Sequence, residues 1–257
     1  MKNRLLQFNV SRAIVFCLTP AFAVVLLSTT PAAVQNRRPA AGRLFGHPNL
    51  SGIWMGPGLG MTANLTRALG RELPFTPYGA EKAKTVDHAD EPGSRCFPPG
   101  VTRGMGGPFP FQIVQSDETI AILLEFSNQF RLIYMDVEHP KDVSDYGPEF
   151  FGHSVGKWEG DTLVVDTIAL DDRTWLDQGG HQHSDQLHLT ERFQKTDPDT
   201  IKWTVTVEDP VFYTEPWTYS LDFKRQNTRL YPYLCAENNR DREHLVPTKG
   251  ILGAGPR

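Results

Sequence analysis

Two segments near the end of the chain set the strongest constraint on its fold. In TIKWTVTVE, Ile201, Trp203, Val205 and Val207 alternate with Lys202, Thr204, Thr206 and Glu208. In PWTYSLDFKR, Trp217, Tyr219, Leu221 and Phe223 alternate with Thr218, Ser220 and Asp222. Successive side chains of a strand point to opposite faces, so each segment reads as a strand with one apolar and one polar face. Two such strands in succession need a shared interior, as in an antiparallel barrel or sandwich.

Upstream, FQIVQS, TIAILLEF, QFRLIYM, FGHSVGKWE, TLVVDTI and QLHLTERFQK repeat the pattern, and TRLYPYLC follows at the end. Most are separated by short turns rich in Asn, Asp and Gly, giving about nine strand candidates. No long helical periodicity supplies crossover helices. Short sequential hairpins favour a mainly β, up-and-down antiparallel barrel, and a two-sheet sandwich is the alternative. Residues 57–110 carry little strand signal, so a long loop is expected there, with one short helix capped by Thr76 and opened by Pro77.

The N-terminus has the order of a secretory signal: a basic start with Lys2, Arg4 and Arg12, an apolar run interrupted by Pro20, then small residues up to Ala33. Residues 1–33 are therefore expected to be removed on export to the periplasm or beyond, leaving no membrane span. Residues 34–46 read as a flexible leader, 47–240 as one domain and 241–257 as a polar tail. Removing the signal takes away those three basic residues and no acid, so the formal charge goes from −4 to −7. That balance argues against nucleic acid as a partner. Of three cysteines, Cys17 lies in the signal, leaving Cys96 and Cys235 to form a disulfide in an oxidising compartment.

The triplet Gly52-Ile53-Trp54 resembles the first-strand signature of lipocalin-like barrels, in which the Trp plugs the closed end. The block GHSVGKWEGDTLVVDT…DDRTWLD…HSDQLHLTERF resembles a large family of exported bacterial proteins without an assigned biochemical function. LPFTPYGAEK, Cys96-Phe97-Pro98-Pro99-Gly100 and VEDPVFYTEPWT extend that resemblance over roughly residues 48–240. It implies family membership and carries over no catalytic residue.

Candidate chemistry concentrates between Gly152 and Phe193, which hold four of the eight histidines. In an extended segment His181 and His183 project to the same side, a start for a divalent transition-metal site. His188 falls on the polar face of its strand, which weakens a three-histidine site. Without metal, His153, His183, Asp185 and Glu191 are the candidate catalytic groups, with His183–Asp185 or His153–Asp166 as an oriented base. Parity places Glu191 with Leu187, Leu189 and Phe193, a buried carboxylate in need of a partner. His153 alternating with Val155 would reach a neighbouring wall of the same cavity. Trp158, Trp175, Phe193 and Trp203 offer aromatic surface to a ligand. Ordinary core packing is the first explanation of the aromatics, and hydrogen bonding within a polar loop is the first explanation of the histidines.

No nucleophile elbow, phosphate loop or dinucleotide motif is present in the sequence. The reading favoured by the sequence is an exported barrel that binds a small, partly apolar molecule. Its alternatives are an acid–base or metal-assisted lyase, isomerase or hydrolase using the same cavity, and a structural envelope protein. The oligomeric state is open.

Overall fold

The computed structural model describes residues 42–57, 65–87, 90–142, 147–233 and 235. The expected signal peptide, residues 34–41 of the leader and the whole polar tail 241–257 lie outside them. Strands β3 (Gly52–Met55), β4 (Phe111–Gln115), β5 (Thr119–Leu124), β6 (Gln129–Met135), β7 (His153–Glu159), β8 (Thr162–Ile168), β9 (His188–Asp197), β10 (Thr200–Glu208) and β11 (Trp217–Arg225) form a closed barrel. Each strand pairs with its neighbours in sequence, and β11 returns to β3. The barrel expectation holds and the sandwich does not.

The wholly antiparallel expectation fails at one seam. Strands β6 and β7 are parallel, and every other barrel pair is antiparallel. The reason is arithmetic. An odd number of strands cannot close into a ring with every neighbour reversed, so a nine-stranded ring contains at least one parallel junction. A parallel pair needs a long return connection. The connection is residues 136–152, of which 147–152 lie beside the start of β6. Ladder pairing at this seam covers only Ile133–Met135 against Ser154–Gly156, so the first half of β6 faces the returning loop instead. Gly156 makes the contact feasible. A Cβ there would meet Ile133 Cγ2 at 2.8 Å and Met135 Sδ at 2.9 Å.

Strand direction sorts the connections into two ends. Short turns at 116–118, 160–161 and 198–199 occupy one end, and the long connections after β3, β8 and β10 open from the other, while the connection after β6 leaves from the turn end. At the turn end, Arg43–Leu44 (β1) and His47–Pro48 (β2) form a small hairpin, so residues 42–46 are not simply the flexible leader expected. Trp54 is fully buried there, its Nε1 donating to Leu50 O at 2.8 Å and its ring covered by Arg225 at 4.2 Å. Gly52, at φ +144°, leaves the space that the Arg225 guanidinium occupies.

The long-connection end is covered by α1 (Leu65–Leu69), α2 (Pro77–Lys84), α3 (Val101–Gly106) and the loop 169–187. Thr76 caps α2 as expected, accepting from Gly79 N at 3.0 Å, with Pro77 at its first position. TRLYPYLC is not a strand among the described residues. Pro232 cannot donate to a ladder, and the segment instead crosses to the lidded end. There Tyr231 N and Tyr233 N donate to Glu125 and Asn128, and Cys235 bonds to Cys96 across a Cα–Cα distance of 5.5 Å.

The alternating strands bury the side chains expected of them. Trp54, Phe111, Phe193, Trp203, Trp217 and Phe223 fill the interior, each at most 1% exposed. Burial of such rings is the main stabilising term of the fold.

Candidate functional site

Three polar constellations stand on this frame: one inside the barrel, one on its outer wall, and one at the lidded rim.

Inside, Glu191 on β9 is fully buried and meets Arg131 on β6. Arg131 Nη1 donates to Glu191 Oε1 at 3.0 Å, and Nη2 pairs with Oε2. The guanidinium also donates to Ser154 Oγ, at 2.9 and 3.1 Å, and to Thr167 Oγ1 at 2.8 Å. Trp203 Nε1 donates to Glu191 Oε1 at 2.9 Å. Consecutive strands β6 to β10 thus each give one member to a closed network, the condition under which a buried pair is tolerated. The buried carboxylate was expected, but its cation was missed. The signal was present in QFRLIYM, where Arg131 shares parity with Ile133 and Met135. Tyr219, packed nearby, has its phenol pushed well up by burial and by the Glu191 charge.

On the outer wall, β7 shows the opposite parity from that expected. Ser154 and Gly156 point inward, so His153 points out and does not share a cavity wall with Glu191. Its Nδ1 lies 2.9 Å from His139 Nδ1, and His139 Nε2 lies 2.8 Å from Asp166 Oδ1. Asp166 Oδ2 in turn meets His188 Nε2 at 2.7 Å. The anticipated His153–Asp166 relationship therefore runs through His139, which sequence reading missed because it lies on the 136–152 return. If His139 Nε2 donates to Asp166, its Nδ1 accepts, and His153 Nδ1 carries the shared hydrogen. The hydrogen bond from His188 holds the Asp166 carboxyl below its usual range, and the bond to Asp166 raises His188. Partial burial, then the neighbouring His139, pushes His153 down.

His153 also lines a cleft of about 540 Å³ along the half-open β6–β7 seam. Phe130, Leu132 and Tyr134 of β6 form one wall, and the 147–152 segment with Phe150 forms the other. Arg131 and Ser154 border it from the barrel side. Tyr134 stacks on His153 with ring centroids 5.5 Å apart. Phe130 is 63% exposed, a large apolar side chain left in water at the mouth.

At the rim, the loop 169–187 holds His181 and His183, but their rings take different partners. His181 Nδ1 bonds Asp177 Oδ2 at 2.7 Å and its Nε2 faces Thr66 Oγ1 at 3.4 Å. His183 Nδ1 donates to Ser184 O at 2.8 Å, and its Nε2 accepts from Thr174 Oγ1 at 2.7 Å. The shared metal-facing side expected of the pair is therefore not formed. Among the described residues no cluster of three His, Cys, Asp or Glu groups is disposed to hold a metal ion. Burial pushes His183 down. Asp185 is exposed in its turn rather than paired with His183. The carboxylate that orders this part of the loop is Asp209, accepting from Ser184 N at 2.6 Å and Ser184 Oγ at 2.9 Å. Close by, Arg103 pairs with Glu91, and burial brings its pKa down to about 10.

The four predicted ligand aromatics do not converge. Phe193 and Trp203 lie in the barrel core, 6.3 Å apart. Trp158 stacks flat on His47 at 4.6 Å near the turn end. Trp175 is buried in the rim loop.

No family model matches the chain, and no curated protein matches it. Among solved structures, a point variant of the fluorescent protein UnaG aligns over 49% of this chain and 76% of its own, at 16% identity and a TM-score of 0.29.

Proposed function

We propose that this chain is an exported barrel that binds a small, partly apolar molecule in the cleft along the β6–β7 seam. The observation that carries the reading is a cleft of about 540 Å³ with aromatic walls and one imidazole. Its size falls within the ~300–1,000 Å³ range of small-molecule sites, which combine apolar lining with a few polar groups. Phe130, Tyr134 and Phe150 supply the apolar contact, and His153 supplies the directional one. The tightly filled barrel interior supports a site on the wall rather than at the centre. Export is supported by the N-terminal residue order and by the Cys96–Cys235 disulfide, which suits an oxidising compartment. Membership of the exported family rests on the quoted sequence block.

A second reading makes the same cleft an acid–base site. The His153–His139–Asp166 chain favours it, because a carboxylate behind two imidazoles fixes tautomers and steadies a transferred proton.

Fluorescence titration with the neutral probe N-phenylnaphthylamine tests the binding reading. Saturable binding that weakens at least ~10-fold in Phe130→Ser/Tyr134→Ser, about 1.4 kcal/mol, is expected. Equal binding by the variant would remove the cleft from consideration.

A further inference from the structure

The rim constellation is separate from the β6–β7 cleft, and its order is that of a nucleophile, a base and an orienting acid. Asp177 is fully buried. It accepts from Leu65 N at 2.6 Å, from His181 N at 3.2 Å and from His181 Nδ1 at 2.7 Å. With its Nδ1 hydrogen committed to Asp177, His181 presents the Nε2 lone pair, and the Thr66 hydroxyl lies 3.4 Å from it. A loose hydroxyl–imidazole contact backed by a tight imidazole–carboxylate bond is common in such sites without substrate.

Thr66 and His181 both line an open pocket of about 660 Å³, together with Arg71, Glu72, Phe75 and Ala83. Phe75 packs on the His181 ring at 6.0 Å. A role limited to tethering the loop to α1 is already met by the Leu65 N–Asp177 bond. That bond does not require a hydroxyl–imidazole pair on a pocket wall. His183, two residues away, shows the tethering alternative, with both ring nitrogens taken up by Thr174 and Ser184.

We propose that Thr66, His181 and Asp177 form an acyl-transfer site that hydrolyses small esters. Thr66 Oγ1 attacks the ester carbonyl and its proton passes to His181 Nε2. The carbonyl π pair moves to oxygen, and the Arg71 guanidinium in the pocket wall offsets the charge. Collapse breaks the bond to the alkoxy oxygen, which leaves as the alcohol with the proton from His181. Water then attacks the acyl-Thr66 ester and gives a proton to His181. The acid leaves, and the proton returns to Thr66 Oγ1. Asp177 is a positioning residue throughout, holding the His181 tautomer.

The test uses the full chain and p-nitrophenyl acetate. Hydrolysis above the buffer rate is expected, with peptide mass mapping of the quenched reaction placing one acetyl group on Thr66. Thr66→Val should lower the rate at least ~100-fold with its circular dichroism unchanged, and Thr66→Ser should retain activity. No hydrolysis above buffer, acetyl found only on other residues, or undiminished hydrolysis by Thr66→Val would each overturn the proposal. If Thr66→Val does not fold, the site of acetylation in the unsubstituted chain decides between the two results.

Discussion

Arg131 and Glu191 face each other inside the barrel from strands β6 and β9, with both side chains at most 1% exposed and the Trp203 indole donating to the same carboxylate. An uncompensated charge left in that interior is costly, whereas an apolar replacement of both partners is tolerated far better. Glu191→Ala should therefore destabilise the protein by about 3–5 kcal/mol, and Arg131→Met by a similar amount. Arg131→Met/Glu191→Leu should lose much less than the sum. Urea unfolding of the three variants measures this, and additive losses would show that the pair is not coupled as described.

The Cys96–Cys235 bond anchors the chain after β11 to the loop before α3, closing a sequence separation of 139 residues. Reduction, or Cys96→Ala/Cys235→Ala, should lower stability by about 2–5 kcal/mol. Unfolding with and without reductant checks it, and coincident curves would contradict the structural role.

The Trp54–Arg225 stack makes a different prediction for the turn end. Trp54→Ala should cost about 3–5 kcal/mol, because a fully buried indole leaves a cavity that the turns cannot fill. A loss under about 1 kcal/mol in denaturant unfolding would mean that the plug is not part of the core.

The outer-wall chain gives a pH signature. His188 is raised by its bond to Asp166, so its stabilising contribution is complete below the unfolded value near ~6.5 and fades as pH climbs through the raised folded value. Asp166 is lowered, so its contribution is present above its unfolded value near ~3.9 and fades as pH falls through the folded one. The pair is worth most between these limits. His183, pushed down by burial, acts in the opposite sense and costs stability as pH drops below ~6.5. The penalty of Asp166→Asn in urea should thus be larger at pH ~5.5 than at pH ~8.5. An equal or smaller penalty at the lower pH would contradict the ion pair.

Strand parity made much of the barrel legible in the sequence. The inward faces of β9, β10 and β11 follow directly from alternation in QLHLTERF, TIKWTVTVE and WTYSLDF. Glu191 was visible as a buried acid by the same logic, and Arg131 was open to the same reading. The parity of β7 was not, because FGHSVGKWE sets His153 and Val155 against Ser154 and Gly156, two rows with no clear difference in polarity. The parallel seam was hidden as well. It depends on strand count and ring closure, which no local pattern encodes. His139, Thr66 and Asp209 reach their partners only through tertiary contacts across 27, 115 and 25 positions, so no spacing rule could pair them. Conversely, His181 and His183 looked like a pair because proximity in sequence was read as proximity of side chains, and the irregular loop turns them to different partners.

A ligand site on the wall along the β6–β7 seam, as proposed, has a direct spectroscopic test. Heteronuclear NMR of the protein titrated with N-phenylnaphthylamine locates the site. Saturable shifts concentrated on Phe130, Tyr134, Phe150 and His153 are expected, with Phe193 and Trp203 of the core little affected. Shifts centred on Phe193 and Trp203, or no saturable shifts at all, would contradict it.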